Sequence, residues 1–398
     1  MIQVLKNIYF TAERAAFFLL KALAGIFLKN DPHKALLWAI DSPLEKIDEI
    51  LRRADFYIPD SRVRVIQKRT VKNILYLAFF NGPVLLLNNV YTGVPFWDKF
   101  LRRRCQPMFD VDYERKISDG WEWHAALNMF YGKEAEPDIV SVKARFVQRV
   151  EELRKLQYRK CYVFGTGPSL SRAIERNWSE GYRVVCNTIV RDQELWKFLA
   201  PHFIVAGDAI YHFGHNNFAR AFRADLRLRL EESDTLFLYP ASFHGLVKRE
   251  FGQFLDQLIP VPVGQHQSVH VDLTREFSLP QLGNVLPLLL LPLGCTLAKA
   301  VFLCGFDGRG PDDKLFWKNS NKHTYSEYMP DLEKAHPAFF GHFIDKKDPQ
   351  KYVKSVHGDV LDARLQEAEK DGWRFVMMHK TWTSTLQKRY EEKAWEAA

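Results

Sequence analysis

Cysteine is scarce: the 398 residues hold five, Cys105, Cys161, Cys186, Cys295 and Cys304, and no two form a Cys-x-x-Cys pair. That spacing argues against a structural zinc site. An odd count with no framework fits a reducing compartment and cysteines that serve as buried packing groups. The chain also lacks an uninterrupted apolar run of the roughly 20 residues a membrane span needs. Ala15 to Leu28 is interrupted by Lys21 and preceded by Glu13 and Arg14, and Ile74 to Leu87 is broken by Asn81, Gly82 and Pro83. Neither reads as a signal peptide or a span. The expectation is a soluble, cytoplasmic protein able to rest on the inner face of a membrane. No internal repeat or low-complexity tract is present, so a solenoid or a disordered chain is not expected.

What is present fits a folded protein of two domains: 47% hydrophobic and 26% charged residues, with aromatics at 14%. The formal charge of +8 favours acidic partners such as a nucleotide, an anionic sugar or an anionic membrane face. Nucleic acid is not expected. Arg102-Arg103-Arg104 and the helix around Arg220 to Arg229 are basic, but no recognised reading motif accompanies them.

Residues 1–155 read as a mainly helical N-terminal domain, suited to docking on a membrane or a partner. Ala15 to Ala24 gives a helix apolar over a wide arc. Ser42-Pro43-Leu44-Glu45 is a helix start, with Ser as cap, Pro at the first position and an acid in the first turn, leading a helix to Arg53. Ile139 to Gln157 reads as an amphipathic helix that feeds the next domain. From about 158 the rhythm changes. The short apolar runs Cys161–Phe164, Tyr182–Cys186, Phe203–Ala206, Thr235–Tyr239, Ile259–Val263, Ala300–Cys304 and Trp373–Met377 alternate with helical stretches. That alternation predicts an α/β fold for 156–390, an open, mostly parallel Rossmann-like sheet with helices on both faces. Ligands of such sheets sit at the carboxyl ends of the strands.

Four groups at those ends carry candidate chemistry. Gly165-Thr166-Gly167-Pro168-Ser169-Leu170 follows the first strand and opens a helix. Glycines there permit a close approach to phosphate, and the helix start offers free N–H groups. The other reading is a tight structural turn. No Gly-Lys-Ser/Thr follows, so the loop is not a Walker A motif, and Leu170 takes the third glycine position of a dinucleotide fingerprint. Asn187, twenty residues after Gly167, is placed to hydrogen-bond a ribose or base, or simply to form a turn. Asp208 ends the third strand in the same way. Gly305-Phe306-Asp307-Gly308-Arg309 follows a later strand. Asp307, Asp312 and Asp313 follow no fixed metal-ligand spacing, and no metal site is expected. The stretch from about 308 to 357 is rich in aromatics and histidine and reads as a lid. A base working near neutral pH would be a histidine, and His323, His336, His342 and His357 all qualify.

In this order the residues resemble a known superfamily: a strand ending in GxGPSL, Cys186-Asn187 after the second strand, a Gly before a helix, Gly-Phe-Asp after a later strand, and a late His before a helix. The pattern is similar to the bacterial sialyltransferases of lipooligosaccharide, to the MAF-type flagellin glycosyltransferases and to the archaeal MptE-like pterin diphosphokinases, over roughly 158–385. The resemblance to the sialyltransferases implies that Gly165, Thr166, Gly167, Pro168, Ser169 and Asn187 bind the CMP part of a CMP-activated donor, with Asp208 and Asp307 at the same edge. It implies that Gly283 and Asn284 line the donor site, although Leu282 stands where the family has Ser or Thr. It makes His357, in Val356-His357-Gly358-Asp359, the general base. Arg309 and Tyr325 would take the place of the family's phosphate-stabilising tyrosines. The implied activity is transfer of sialic acid, Kdo or a relative to a glycan or glycolipid acceptor, with no cofactor required. The rival expectations are a diphosphokinase using ATP and Mg²⁺ held by Asp208, Asp307, Asp312 and Asp313, and a non-catalytic nucleotide-binding module of envelope polysaccharide assembly. A homo-oligomer is compatible with the sequence.

Overall fold

A computed structural model describes residues 34–80, 82–88, 98, 107–310, 322–343 and 358–396. The expected helix at Ala15–Ala24, Cys105, Arg102 to Arg104, Asp312, Asp313 and His357 lie outside the described residues. The described residues form two compact units that divide between Glu134 and Ala135.

The first unit departs from the expected mainly helical domain. Helices Leu44–Tyr57, Val71–Phe79 and Asp119–Tyr131 are present, but they accompany a four-stranded parallel sheet. Its strands are β1 (Lys34–Trp38), β2 (Arg62–Ile66), β3 (Val84–Leu86) and β4 (Met108–Asp110), in the order β2-β1-β3-β4. Lys, Ala and Leu in β1 are strong helix formers. In the fold Ala35 to Trp38 are fully buried, and tertiary burial overrides that local preference. Helix Leu44–Tyr57 is tied to helix Asp119–Tyr131 by a buried ion pair, Arg53 to Asp119 at 3.0 Å. Tyr57 stacks on Trp123 at 5.2 Å.

The second unit is the expected open α/β fold. Seven strands form one all-parallel sheet: β5 (Lys160–Phe164), β6 (Tyr182–Cys186), β7 (Phe203–Val205), β8 (Leu236–Pro240), β9 (Leu258–Val261), β10 (Ala300–Cys304) and β11 (Arg374–Met377). The order is β11-β10-β5-β6-β7-β8-β9. Central strands are apolar along almost their whole length because both faces are covered, which is why runs such as Cys161-Tyr162-Val163-Phe164 carry no alternation. Pro260 interrupts β9, an edge strand, where proline is tolerated. The unit begins earlier than residue 156: helix Ile139–Arg154 belongs to it. Val142, Phe146, Val150 and Leu153, one helical stripe, join the core of the seven-stranded sheet.

From β5 the chain winds outward in one direction through β6 to β9, then returns to place β10 on the other side of β5. The return passes through Leu286–Leu297, a π turn that becomes an α-helix, buried over most of its length. Gly294 lets this segment lie against the sheet, since a Cβ there would come within 3.2 Å of Val301 and 3.3 Å of Val163. Strand order reverses between β5 and β10, and open parallel sheets bind ligands at the carboxyl edge beside such a reversal.

Among the described residues no helix is long and apolar enough to cross a membrane. Cys161, Cys186, Cys295 and Cys304 are free and buried, and burial pushes each thiol above its ordinary pKa.

Candidate functional site at the carboxyl edge of the seven-stranded sheet

Strand register brings the expected motifs to one level. Phe164 pairs with Cys304 on one side and Val185 on the other, and Cys186 pairs with Val205. The Gly165 loop, Asn187, Asp208 and the Gly305 loop therefore leave the sheet together.

The Gly165 loop and the Gly305 loop are in backbone contact. Gly165 N–H donates to the Cys304 carbonyl and Gly167 N–H to the Gly305 carbonyl, each at 2.8 Å. A Cβ at Gly165 would lie 2.6 Å from the Gly305 oxygen, and one at Gly305 would lie 2.2 Å from the Gly165 oxygen. Gly305 also has φ +79°, a left-handed conformation that favours glycine. These glycines are accounted for by loop-on-loop packing, the structural-turn reading of the motif.

The start of the 3₁₀ helix Pro168–Glu175 is occupied by a side chain. Asp307 accepts the Ser169 N–H at 3.2 Å and the Ser169 hydroxyl at 2.9 Å. A Cβ at Gly167 would fall 2.1 Å from Asp307 Oδ2. A carboxylate thus sits where a phosphate would meet the amide of Ser169, and a second anion is repelled there. The Gly167 and Ser169 N–H groups, expected to face a phosphate, are both engaged within the protein. Thr166 is buried, and Pro168 is exposed at the helix start.

His379, just past β11, completes this cluster and was not among the sequence candidates. Its Nε2 lies 2.7 Å from Ser169 Oγ and accepts the Gly305 N–H at 2.9 Å, and Nδ1 is 2.9 Å from the Lys380 carbonyl. Burial holds its pKa below the ordinary value. The same loop is fastened to the β10 loop: Thr381 Oγ1 donates to the Phe306 carbonyl at 2.6 Å, and Trp382 N–H donates to the Asp307 carbonyl at 2.8 Å. The available signal was positional, a polar residue directly after the last apolar run.

Asn187 has φ +52°, and its side-chain Oδ1 is buried with no hydrogen-bond partner among the described residues. A buried acceptor of this kind costs about 1–3 kcal/mol unless something supplies a proton to it. The neighbouring turn is well anchored. Thr188 donates its hydroxyl to the His323 carbonyl, His323 Nε2 lies 3.2 Å from Asp192, and Arg191 pairs with Glu327 at 2.9 Å.

The other expected residues are placed differently. Asp208 Oδ1 accepts the N–H groups of Ile210 and Tyr211 at 2.7 and 2.8 Å, a local turn, and burial raises its pKa. Asn284 Oδ1 accepts the Leu286 N–H at 3.0 Å and so caps the return helix, while Gly283 is exposed with open space beside it. A helix feeding a parallel strand runs back against the strands, which puts this start toward the carboxyl edge. Arg309 is buried, directly after Gly308.

Tyr325, expected to stabilise the leaving phosphate, is engaged within the protein. It is buried against helix Asn217–Glu231, its hydroxyl donates to Asp225 at 2.6 Å, and the Arg191 guanidinium lies over its ring. Burial and that carboxylate raise its pKa. Of the expected lid, 322–343 is folded, with helix Met329–Ala335 packed on helix Asn217–Glu231.

Among the described residues no group of three or more His, Cys, Asp or Glu is placed to hold a metal ion. Compared with protein-family models, with curated proteins and with solved structures, the chain matches none.

Proposed function

We propose that the seven-stranded unit binds a nucleotide at the carboxyl ends of β5, β6 and β10 and transfers an acidic sugar from a CMP-activated donor to a glycan or glycolipid acceptor. The observation that carries the nucleotide reading is the buried Oδ1 of Asn187, without a partner among the described residues, at the end of β6, one strand from the point where strand order reverses. A cytosine amino group or a ribose hydroxyl supplies the proton that this oxygen lacks. The basic balance of the chain favours an anionic donor, and the sequence similarity to the sialyltransferases favours CMP and an acidic sugar.

The Asp307 carboxylate at Ser169 moves the donor phosphate away from the helix start, toward the Asn187 side. Transfer is a single displacement. The acceptor oxygen forms a bond to the anomeric carbon as the bond to the phosphate oxygen breaks. CMP leaves with that electron pair, and the acceptor proton passes to a base, His357 on this reading. His379 is not the base, because its Nε2 already receives the Gly305 N–H.

A thermal-shift panel of CMP, UDP, GDP, ATP and AMP, each with and without Mg²⁺, tests the nucleotide. A ligand of the native state raises the melting temperature by mass action. CMP stabilisation without metal supports the transferase, and His357→Ala then retains binding and loses turnover. Stabilisation by ATP only with Mg²⁺ points instead to phosphoryl transfer. Binding without turnover of any CMP-sugar points to a non-catalytic module.

A further inference from the structure

We infer that His379 is the positioning residue of this site: as an unprotonated acceptor at Nε2 it joins the Gly305 amide to the Ser169 hydroxyl and fixes the spacing of the β5 and β10 loops. Its consequence for binding rests on the nucleotide reading above; its geometry does not.

Two contacts assign the same form of the ring. A backbone N–H only donates, so the Gly305 N–H at 2.9 Å requires a bare Nε2. A carbonyl only accepts, so Lys380 O at 2.9 Å from Nδ1 requires the proton there. The neutral Nδ1–H imidazole satisfies both. Ser169 then has one hydroxyl proton and two acceptors in reach, Nε2 at 2.7 Å and Asp307 Oδ2 at 2.9 Å, while its N–H stays on Asp307. One ring thus links the loops after β5, β10 and β11.

Protonating Nε2 turns the acceptor into a donor and sets it against the Gly305 N–H. The groups around the ring divide. The Lys380 carbonyl and Asp307, 4.0 Å from Nδ1, favour the imidazolium, whereas burial and Arg172 oppose it, and burial is the largest influence. The loops are therefore held in register at neutral pH and released only under acid conditions.

Nitrogen-15 NMR of the imidazoles tests the assignment without any ligand, with His379→Gln identifying the resonance. The Nδ1–H tautomer at pH 7 is expected, and an Nε2–H tautomer overturns the inference. For binding, CMP is the probe. Glutamine can present its amide oxygen near the position of Nε2, so His379→Gln should keep the dissociation constant within about threefold, while His379→Leu weakens it about tenfold. Wild-type binding should weaken at acid pH by more than the protonation of the CMP phosphate and cytosine accounts for, and His379→Gln should lose that excess. Equal weakening by Gln and Leu, or an unchanged acid limb in His379→Gln, overturns the inference. Should the Leu variant fail to fold, the Gln variant and the tautomer still decide. Should the wild type not bind CMP, the nucleotide reading fails, and the tautomer alone judges His379.

Discussion

Asp307 reaches from the β10 loop to Ser169, accepting its N–H at 3.2 Å and its hydroxyl at 2.9 Å, with Gly167 leaving room for the carboxylate. The contact explains the glycine without invoking phosphate. Gly167→Ala would place a Cβ 2.1 Å from Asp307 Oδ2 and 2.8 Å from the Gly305 oxygen. Urea denaturation should show a loss of about 2 kcal/mol or more, in the range of overpacking changes. Gly283→Ala, with no described residue within 4 Å, should stay within about 0.5 kcal/mol.

Tyr325→Phe separates a structural tyrosine from a catalytic one. The substitution removes the hydroxyl that Asp225 accepts at 2.6 Å and should cost about 1–2 kcal/mol in an equilibrium melt. Turnover should stay within about threefold of wild type. A loss of two orders of magnitude in kcat would return Tyr325 to the reaction.

How much of this was legible in the sequence differs between the two units. The seven buried strands stood out because a central parallel strand is an unbroken apolar run, as in Cys161–Phe164 and Ala300–Cys304. The N-terminal sheet did not. The run Lys34–Trp38 is built of helix formers, and the period-two pattern of Arg62-Val63-Arg64-Val65 is only five residues long as a strand. At the site, Asn187 could be placed from its distance to Gly167. The roles of Asp307 and His379 could not, because they arise from contacts with Ser169 across 138 and 210 residues. A Gly-x-Gly loop looks the same whether the neighbour it admits is a phosphate or a carboxylate.

Stability should fall on acidification through His212. Burial lowers its pKa from 6.5 to about 3, so the native ring stays neutral while the unfolded ring takes up a proton below 6.5. The stabilisation is complete above pH 6.5 and is lost as pH falls toward 3, with a slope near 1.4 kcal/mol per pH unit. His212→Asn should reduce the fall of the urea midpoint between pH 6 and pH 4, the remainder belonging to His202 and His244, whose pKa values burial also lowers. An unchanged slope would place the protonation elsewhere.

Calorimetric titration of CMP into wild type and Asn187→Gly decides whether the buried oxygen of Asn187 receives a nucleotide. Glycine keeps the positive φ of +52° without strain and removes only the amide. Binding by wild type without added metal, weakened about tenfold or more in Asn187→Gly at a melting temperature no lower than that of wild type, is the predicted result. Equal affinity in the two proteins, or no binding of CMP by the wild type, would contradict it.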